Sequence, residues 1–264
     1  MSTASNGSHD RSARQAKIQA AAPKESKLKP ILAVIVALVA IAGIGAAIYF
    51  GTKSNDTGAT NGKLPRGAVS ETGGIMLNAT DPGAGVPVLD IYEDFQCPAC
   101  GFYHEQLGST VDQLASSGKA KVVIHLKSFL DAGIPGEKSL KAANAAACAS
   151  NSSPEAFVKM HDGIFATQPE QEGDGWPDMT FSDLAQKAGI TGEAKKAYDQ
   201  CVADVTYESY LKKVDEQSTK DGVKGTPTYR INGKDFDLRT LVDQQAQKVD
   251  SQGLVKAIED ATQK

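Results

Sequence analysis

The spacing of apolar positions changes several times along this chain, and each change marks an element. Ile31 to Phe50 runs without a charge and shows no amphipathic face, which predicts a helix long enough to span a bilayer. Val88 to Phe95 is a short apolar run with Pro87 at its entrance, where a missing N–H is tolerated, and it predicts a buried strand. Beyond it, Gly101 to Ser117 has a helical period, with Cys100, Tyr103, Leu107, Val111 and Leu114 on one face. Lys121–Phe129, rich in Val and Ile, is the next strand, and Ile75–Leu77 a short edge strand. Residues 131–221 then read as helices over Glu137–Ala149, Pro154–Thr167, Phe181–Gly189 and Glu193–Lys220. Strand signals return at Thr228–Ile231 and Lys234–Asp237, joined by Asn232-Gly233, the dipeptide of a type I′ hairpin. A helical C-terminus starts at Leu238, Leu241 and Val242, is interrupted at Gly253, and resumes with Leu254, Ala257, Ile258 and Ala261. This order of elements defines an α/β domain with an inserted helical subdomain.

Composition divides the chain around that pattern. Residues 1–30 are rich in Ser, Ala and Lys and are expected to form a disordered cytoplasmic tail. Residues 31–50 are the expected transmembrane anchor. Residues 51–72, rich in Gly, Thr, Asn and Ser, are an expected flexible linker. Residues 73–264 form the folded domain, with its helical insertion at about 131–221. Lys17, Lys24, Lys27 and Lys29 precede the apolar run, which favours a cytoplasmic N-terminus and an extracytoplasmic domain. A cleaved signal peptide is the competing reading, but its core is typically about 7–15 residues and is followed by small residues, not Ile-Tyr-Phe. The whole chain carries a net charge of −4, and the part beyond the anchor is more acidic than the part before it. An acidic outer domain argues against nucleic acid as a partner.

All four cysteines lie beyond the anchor, in a compartment where disulfides persist. They divide by spacing. Cys97-Pro98-Ala99-Cys100 sits where the strand hands over to the helix, so the first sulfur stands at a helix N-terminus. Unpaired N–H groups and the positive end of the helix dipole favour a thiolate there. Pro98 suits the first helical turn, which needs no donor. The motif implies thiol–disulfide exchange, chemistry that requires no cofactor and no metal. A zinc ribbon would need a second Cys-x-x-Cys, which is missing. His104 could add a third local ligand, but its plainer reading is a polar residue at the edge of the helix. Cys148 and Cys201 stand alone, each on the inner face of a helical stretch. They are either a structural disulfide, which would stabilise by roughly 4 kcal/mol at this separation, or two buried free thiols. Between the helices, the acidic, Gly-rich segment Gln168–Asp178 holds Trp176. It is either a rim of the site or a loop pinned by one aromatic.

These residues resemble the thioredoxin superfamily: Cys97-Pro98-Ala99-Cys100 at a strand–helix junction, then Gly225-Thr226-Pro227-Thr228 opening a hairpin. The helical insertion after the second main strand is similar to the DsbA-like branch. The anchor and the extra cysteine pair are similar to its membrane-tethered forms in Gram-positive bacteria, actinobacteria especially. The resemblance implies a cis Thr226–Pro227 bond facing Cys97 and Cys100, with Thr226 and Pro227 binding an extended substrate backbone. It implies an enzyme that introduces disulfides into unfolded or reduced exported proteins. It also implies a quinone-linked membrane reoxidase of the DsbB or VKOR-like type as partner. The alternatives are a thioredoxin-like reductant or isomerase, or a non-catalytic thiol- or metal-binding module.

Two positions depart from the family pattern. Many relatives carry His between the proline and the second cysteine, where this chain has Ala99; a less depressed Cys97 pKa and a milder oxidant are expected. The acidic residue that many relatives bury six positions before the first cysteine is Ile91 here. Glu93 and Asp94 lie closer. Asp94 is either a proton relay for Cys100 or a solvated carboxylate at a strand end.

Overall fold

The computed structural model describes residues 63–262 except 244, 246 and 247. The elements are β1 (Ile75–Met76), β2 (Val88–Glu93), α1 (Pro98–Ser116) and β3 (Lys121–Leu126), then a 3-10 turn at Phe129–Ala132. Five helices follow: α2 (Lys138–Ser150), α3 (Pro154–Ala166), α4 (Thr180–Lys187), α5 (Gly192–Ala203) and α6 (Glu208–Lys220). The chain returns through β4 (Thr228–Ile231) and β5 (Lys234–Phe236), a 3-10 turn at Leu238–Leu241, β6 (Val242–Asp243), β7 (Lys248–Val249) and α7 (Ser251–Thr262).

A five-stranded sheet runs in the order β1-β3-β2-β4-β5. β2 and β3 pair in parallel from Val88↔Lys121 to Glu93↔Leu126, with α1 as the crossover helix. β4 is antiparallel to β2, Ile91 facing Tyr229 and Tyr92 facing Thr228. This register brings the start of β4 beside the end of β2, where the cysteine motif begins. The β4–β5 turn has Asn232 and Gly233 both at positive φ, as a type I′ turn requires. α1 lays Cys100, Leu107, Val111 and Leu114 against the sheet. α2 is buried almost all round; its alanines let α3, α5 and α6 approach it closely. A helix with no polar face has to sit inside its bundle.

Several sequence expectations are corrected. Glu193–Lys220 is two helices, not one. Val205 takes φ 45°, and the Tyr207 N–H leaves the helical ladder to donate to the Asn144 side chain at 2.9 Å. The break is tertiary, so no Gly or Pro announces it. β3 ends at Leu126 rather than Phe129, because Ser128 turns to bond Asp215. Lys127, also buried, pairs with the same carboxylate at 2.7 Å. The C-terminal helix starts at Ser251, not near Leu238, and Gly253 lies inside it. Leu238, Leu241 and Val242 form a 3-10 turn and then a short strand, the Asp237 side chain accepting the Arg239 N–H at 3.0 Å. A three-residue apolar spacing fits a 3-10 turn as well as a helix.

The packed chain also begins before residue 73: Val69 N–H donates to Gly74 O and Met76 N–H to Gly67 O, both at 2.9 Å. Among the described residues no helix is long and apolar enough to cross a membrane. The anchor read at Ile31–Phe50, the tail 1–30 and most of the linker 51–72 lie outside the described residues.

Candidate active site

Cys97 is the N-cap of α1, with Pro98 in the first turn. Its N–H donates to Asp94 O at 2.9 Å, and its carbonyl takes the first helical bond from Gly101 at 3.1 Å. Both motif cysteines are free thiols, and the two differ. The Cys97 thiol is lowered from its ordinary 9.0 to about 6. The largest cause is the hydrogen bond from Cys100. Burial opposes it, and Thr226 and the Ala99 and Cys100 amides assist. Cys100 is wholly enclosed, and burial, then Cys97 and Glu93, push its thiol well above 9.0. The pair is thus split into one acidic thiol and one held neutral. Ala99 contributes through its backbone amide, although its side chain offers no donor.

Thr226 and Pro227 meet the pair across the sheet. Their peptide bond is cis, and the Cys97 thiol lies 3.5 Å from the Thr226 carbonyl, to which it donates. The Thr226 hydroxyl is buried without a hydrogen-bond partner. Cys148 and Cys201 form a disulfide far along the chain from this motif, with a sequence separation of 53.

Asp94 is not a solvated carboxylate. It is fully buried, accepts the N–H groups of Gln96 at 2.9 Å and Leu130 at 3.3 Å, and burial lifts its carboxyl to about 8. It shapes the turn that carries Cys97. The carboxylate that Cys100 senses belongs to Glu93, at the end of β2. Glu93 is buried and bonded to His161 of α3. Burial draws the His161 pKa down, but Glu93 and Asp162 outweigh it and lift it to about 10. His104 is not a free polar edge residue. It lies 3.3 Å from Asp162 and stacks on Phe165, ring centres 4.6 Å apart.

Two glutamines complete the site and had no sequence signal. Gln168, just past α3, donates to the carbonyls of Phe95 at 2.7 Å and Cys97 at 2.9 Å. Gln96 donates to Asp131 and Ser139 and accepts the Gly173 N–H at 2.9 Å. The segment Gln168–Asp178 is therefore both a neighbour of the site and a pinned loop, with the Trp176 indole N–H donating to Ile164 O at 3.3 Å. His161 did carry a signal: it shares the apolar face of α3 with Phe157, Ile164 and Phe165.

A cysteine pair at the start of α1, faced by the loop before β4 and clamped by an inserted helical block, defines a thioredoxin fold of the DsbA-like kind. The thioredoxin family model matches residues 82–260, and the chain belongs to that family. No curated protein matches the sequence. Among solved structures, DsbA from Mycobacterium tuberculosis is similar, at 29% identity, covering 76% of this chain and 100% of that one, with a TM-score of 0.52. MdbA, a thiol-disulfide oxidoreductase from Corynebacterium diphtheriae, is 22% identical, covers 76% and 95%, and has a TM-score of 0.58. BdbD from Bacillus subtilis is 19% identical, covers 76% and 100%, and has a TM-score of 0.56. The last two show a shared fold.

Proposed function

We propose that this protein is a membrane-tethered thiol:disulfide oxidoreductase that introduces disulfides into exported proteins through Cys97 and Cys100. The observation that carries the reading is the split between the two thiols. A substrate thiolate attacks Cys97 of the Cys97–Cys100 disulfide, and Cys100 leaves and takes up a proton. A second substrate thiol, losing its proton, attacks the substrate sulfur of the mixed disulfide, and Cys97 leaves as a thiolate. Two electrons pass from substrate to the pair; the proton lost by the second substrate thiol balances the one taken up by Cys100, and Cys97 stays a thiolate. A leaving thiol of low pKa departs readily, and a stabilised reduced form makes the pair an oxidant. Thr226 and Pro227 bind the substrate backbone beside Cys97 as an added strand. A quinone-linked membrane reoxidase of the DsbB or VKOR-like type takes the electrons away.

Placement outside the membrane is supported by the Cys148–Cys201 disulfide, a bond that oxidising compartments preserve. The charge-free run at Ile31–Phe50 supports a single-pass anchor. The test is the reduction potential of Cys97–Cys100 in the full-length protein in detergent. A value toward roughly −120 mV supports an oxidase, and one near roughly −270 mV, as in thioredoxin, overturns it in favour of a reductant.

A further inference from the structure

We propose that His104, His161 and Asp162 form a binding site for a divalent transition-metal ion of zinc's class, clipping α1 to α3. The proposal is independent of the redox reading. Asp162 Oδ1 lies 3.3 Å from His104 Nε2 and 3.6 Å from His161 Nδ1. The ligand atoms of all three residues lie within 4.8 Å of one another. A tetrahedral zinc ion with ligands at about 2.0–2.1 Å sets those ligands roughly 3.3 Å apart. Two edges of the triangle are therefore close to their final length, and a small turn of a half-buried ring closes the third. The Asp162 oxygen at the centre of the group is buried and, apart from its ion pairs with the two histidines, has no hydrogen-bond partner.

The surroundings orient the ligands. His161 engages Glu93 through Nε2. Without metal His161 is an imidazolium, so binding releases its Nδ1 proton; the neutral ring left keeps Nε2–H toward that carboxylate and turns its Nδ1 lone pair to the side of Asp162. A carboxylate behind a metal-bound histidine is the arrangement that fixes its tautomer and raises its basicity. His104 is seated by its neighbours. Phe165 stacks on its ring, and Gly108, one turn along α1, leaves it room, since a Cβ there would lie 3.1–3.4 Å from ring atoms. Glycine inside a helix costs about 1 kcal/mol relative to alanine, so its place beside this ring is informative. A cavity of about 10 Å³, lined in part by Glu93, His104, Gly108, Asp112 and His161, adjoins the group. It is at the lower limit for one water, the fourth ligand such a site takes. Two imidazoles and one carboxylate suit zinc and its neighbours, whereas calcium and magnesium favour oxygen.

The test uses full-length protein in detergent, stripped of metal, with Cys97–Cys100 oxidised so that the thiols do not compete. Zinc alone is titrated against a chromophoric chelator. One equivalent is expected to bind and to raise the unfolding temperature. Binding should weaken at least tenfold in His104→Ala and in the nearly isosteric Asp162→Asn, and stay unchanged in His125→Ala. Cobalt in the wild type should give the visible spectrum of a four-coordinate N/O site, a readout that needs no variant to fold. Absence of binding to the oxidised wild type would overturn the proposal. So would binding that survives both substitutions.

Discussion

The two cysteine pairs are buried to a similar degree, yet they sit at opposite ends of helices. Cys97 and Cys100 are 8% and 2% exposed, Cys148 and Cys201 1% and 9%. Cys97 caps the N-terminus of α1, where amides point at the sulfur. Cys148 and Cys201 lie in the last turns of α2 and α5, where carbonyls and the negative end of the dipole disfavour a thiolate. Burial alone therefore does not decide which pair reacts. A pair that exchanges has one sulfur able to leave as a thiolate, whereas a pair that only holds the fold together has none.

The largest effect expected breaks the comparison at its reactive end. Cys97→Ser should abolish oxidation of a reduced peptide, a loss on the order of 10³ or more for a residue that carries the covalent intermediate. Cys100→Ser, given the peptide as its disulfide, should instead accumulate a mixed disulfide: the Cys97 thiolate attacks, one peptide thiol leaves, and no second cysteine resolves the adduct, which is visible by mass in the full-length protein. At the other end, Cys148→Ala with Cys201→Ala should leave peptide oxidation nearly unchanged and lower stability by about 4 kcal/mol, by denaturant unfolding of the oxidised protein. Loss of exchange in that double variant would mean the second pair is part of the redox path.

A pH titration sharpens the contrast. Cys97 is depressed from 9.0 to about 6 in the fold, so it stabilises the reduced protein. The contribution is fully present above about pH 9, falls to about 1.4 kcal/mol at pH 7, and is lost as pH drops through about 6. Alkylation of native reduced protein should rise with a midpoint near pH 6. In urea the midpoint should return toward 9. In Cys100→Ala it should move up, because the Cys100 hydrogen bond is the first cause of the shift. A midpoint unchanged in Cys100→Ala would assign the acidity to the helix end instead.

What was legible in the sequence is local. The strand, the Cys-Pro-Ala-Cys junction, the helix after it and the Asn232-Gly233 hairpin are each written within a few residues, and the structure has all of them. What was not legible depends on partners far along the chain. Val205 turns because Asn144 offers an acceptor to Tyr207. Asp94 is held inside in part by the N–H of Leu130, 36 residues on. Glu93 can end inside the protein because α3 brings His161 to it. A carboxylate at the buried end of an apolar strand and a histidine on an apolar helix face are each ambiguous alone. Together they form a pair, which only the tertiary fold reveals.

Gln168 provides the smallest and most discriminating break in the comparison. It reaches from the helical block that houses the structural disulfide to the carbonyls of Phe95 and Cys97, joining the two regions without touching either sulfur in those bonds. Each neutral hydrogen bond contributes about 0.5–1.5 kcal/mol, and both carbonyls flank the turn that aims Cys97. Gln168→Ala should therefore cost about 1–2 kcal/mol of stability and slow peptide oxidation a fewfold, while Gln168→Glu, which keeps the length but loses the donors, should behave the same way. If the helical block served only as a cover, both variants would lose stability with peptide oxidation and the Cys97 alkylation midpoint untouched. If it holds the redox turn, oxidation slows in both variants and the midpoint shifts with it, because the amides of Ala99 and Cys100 lose their aim on the Cys97 sulfur.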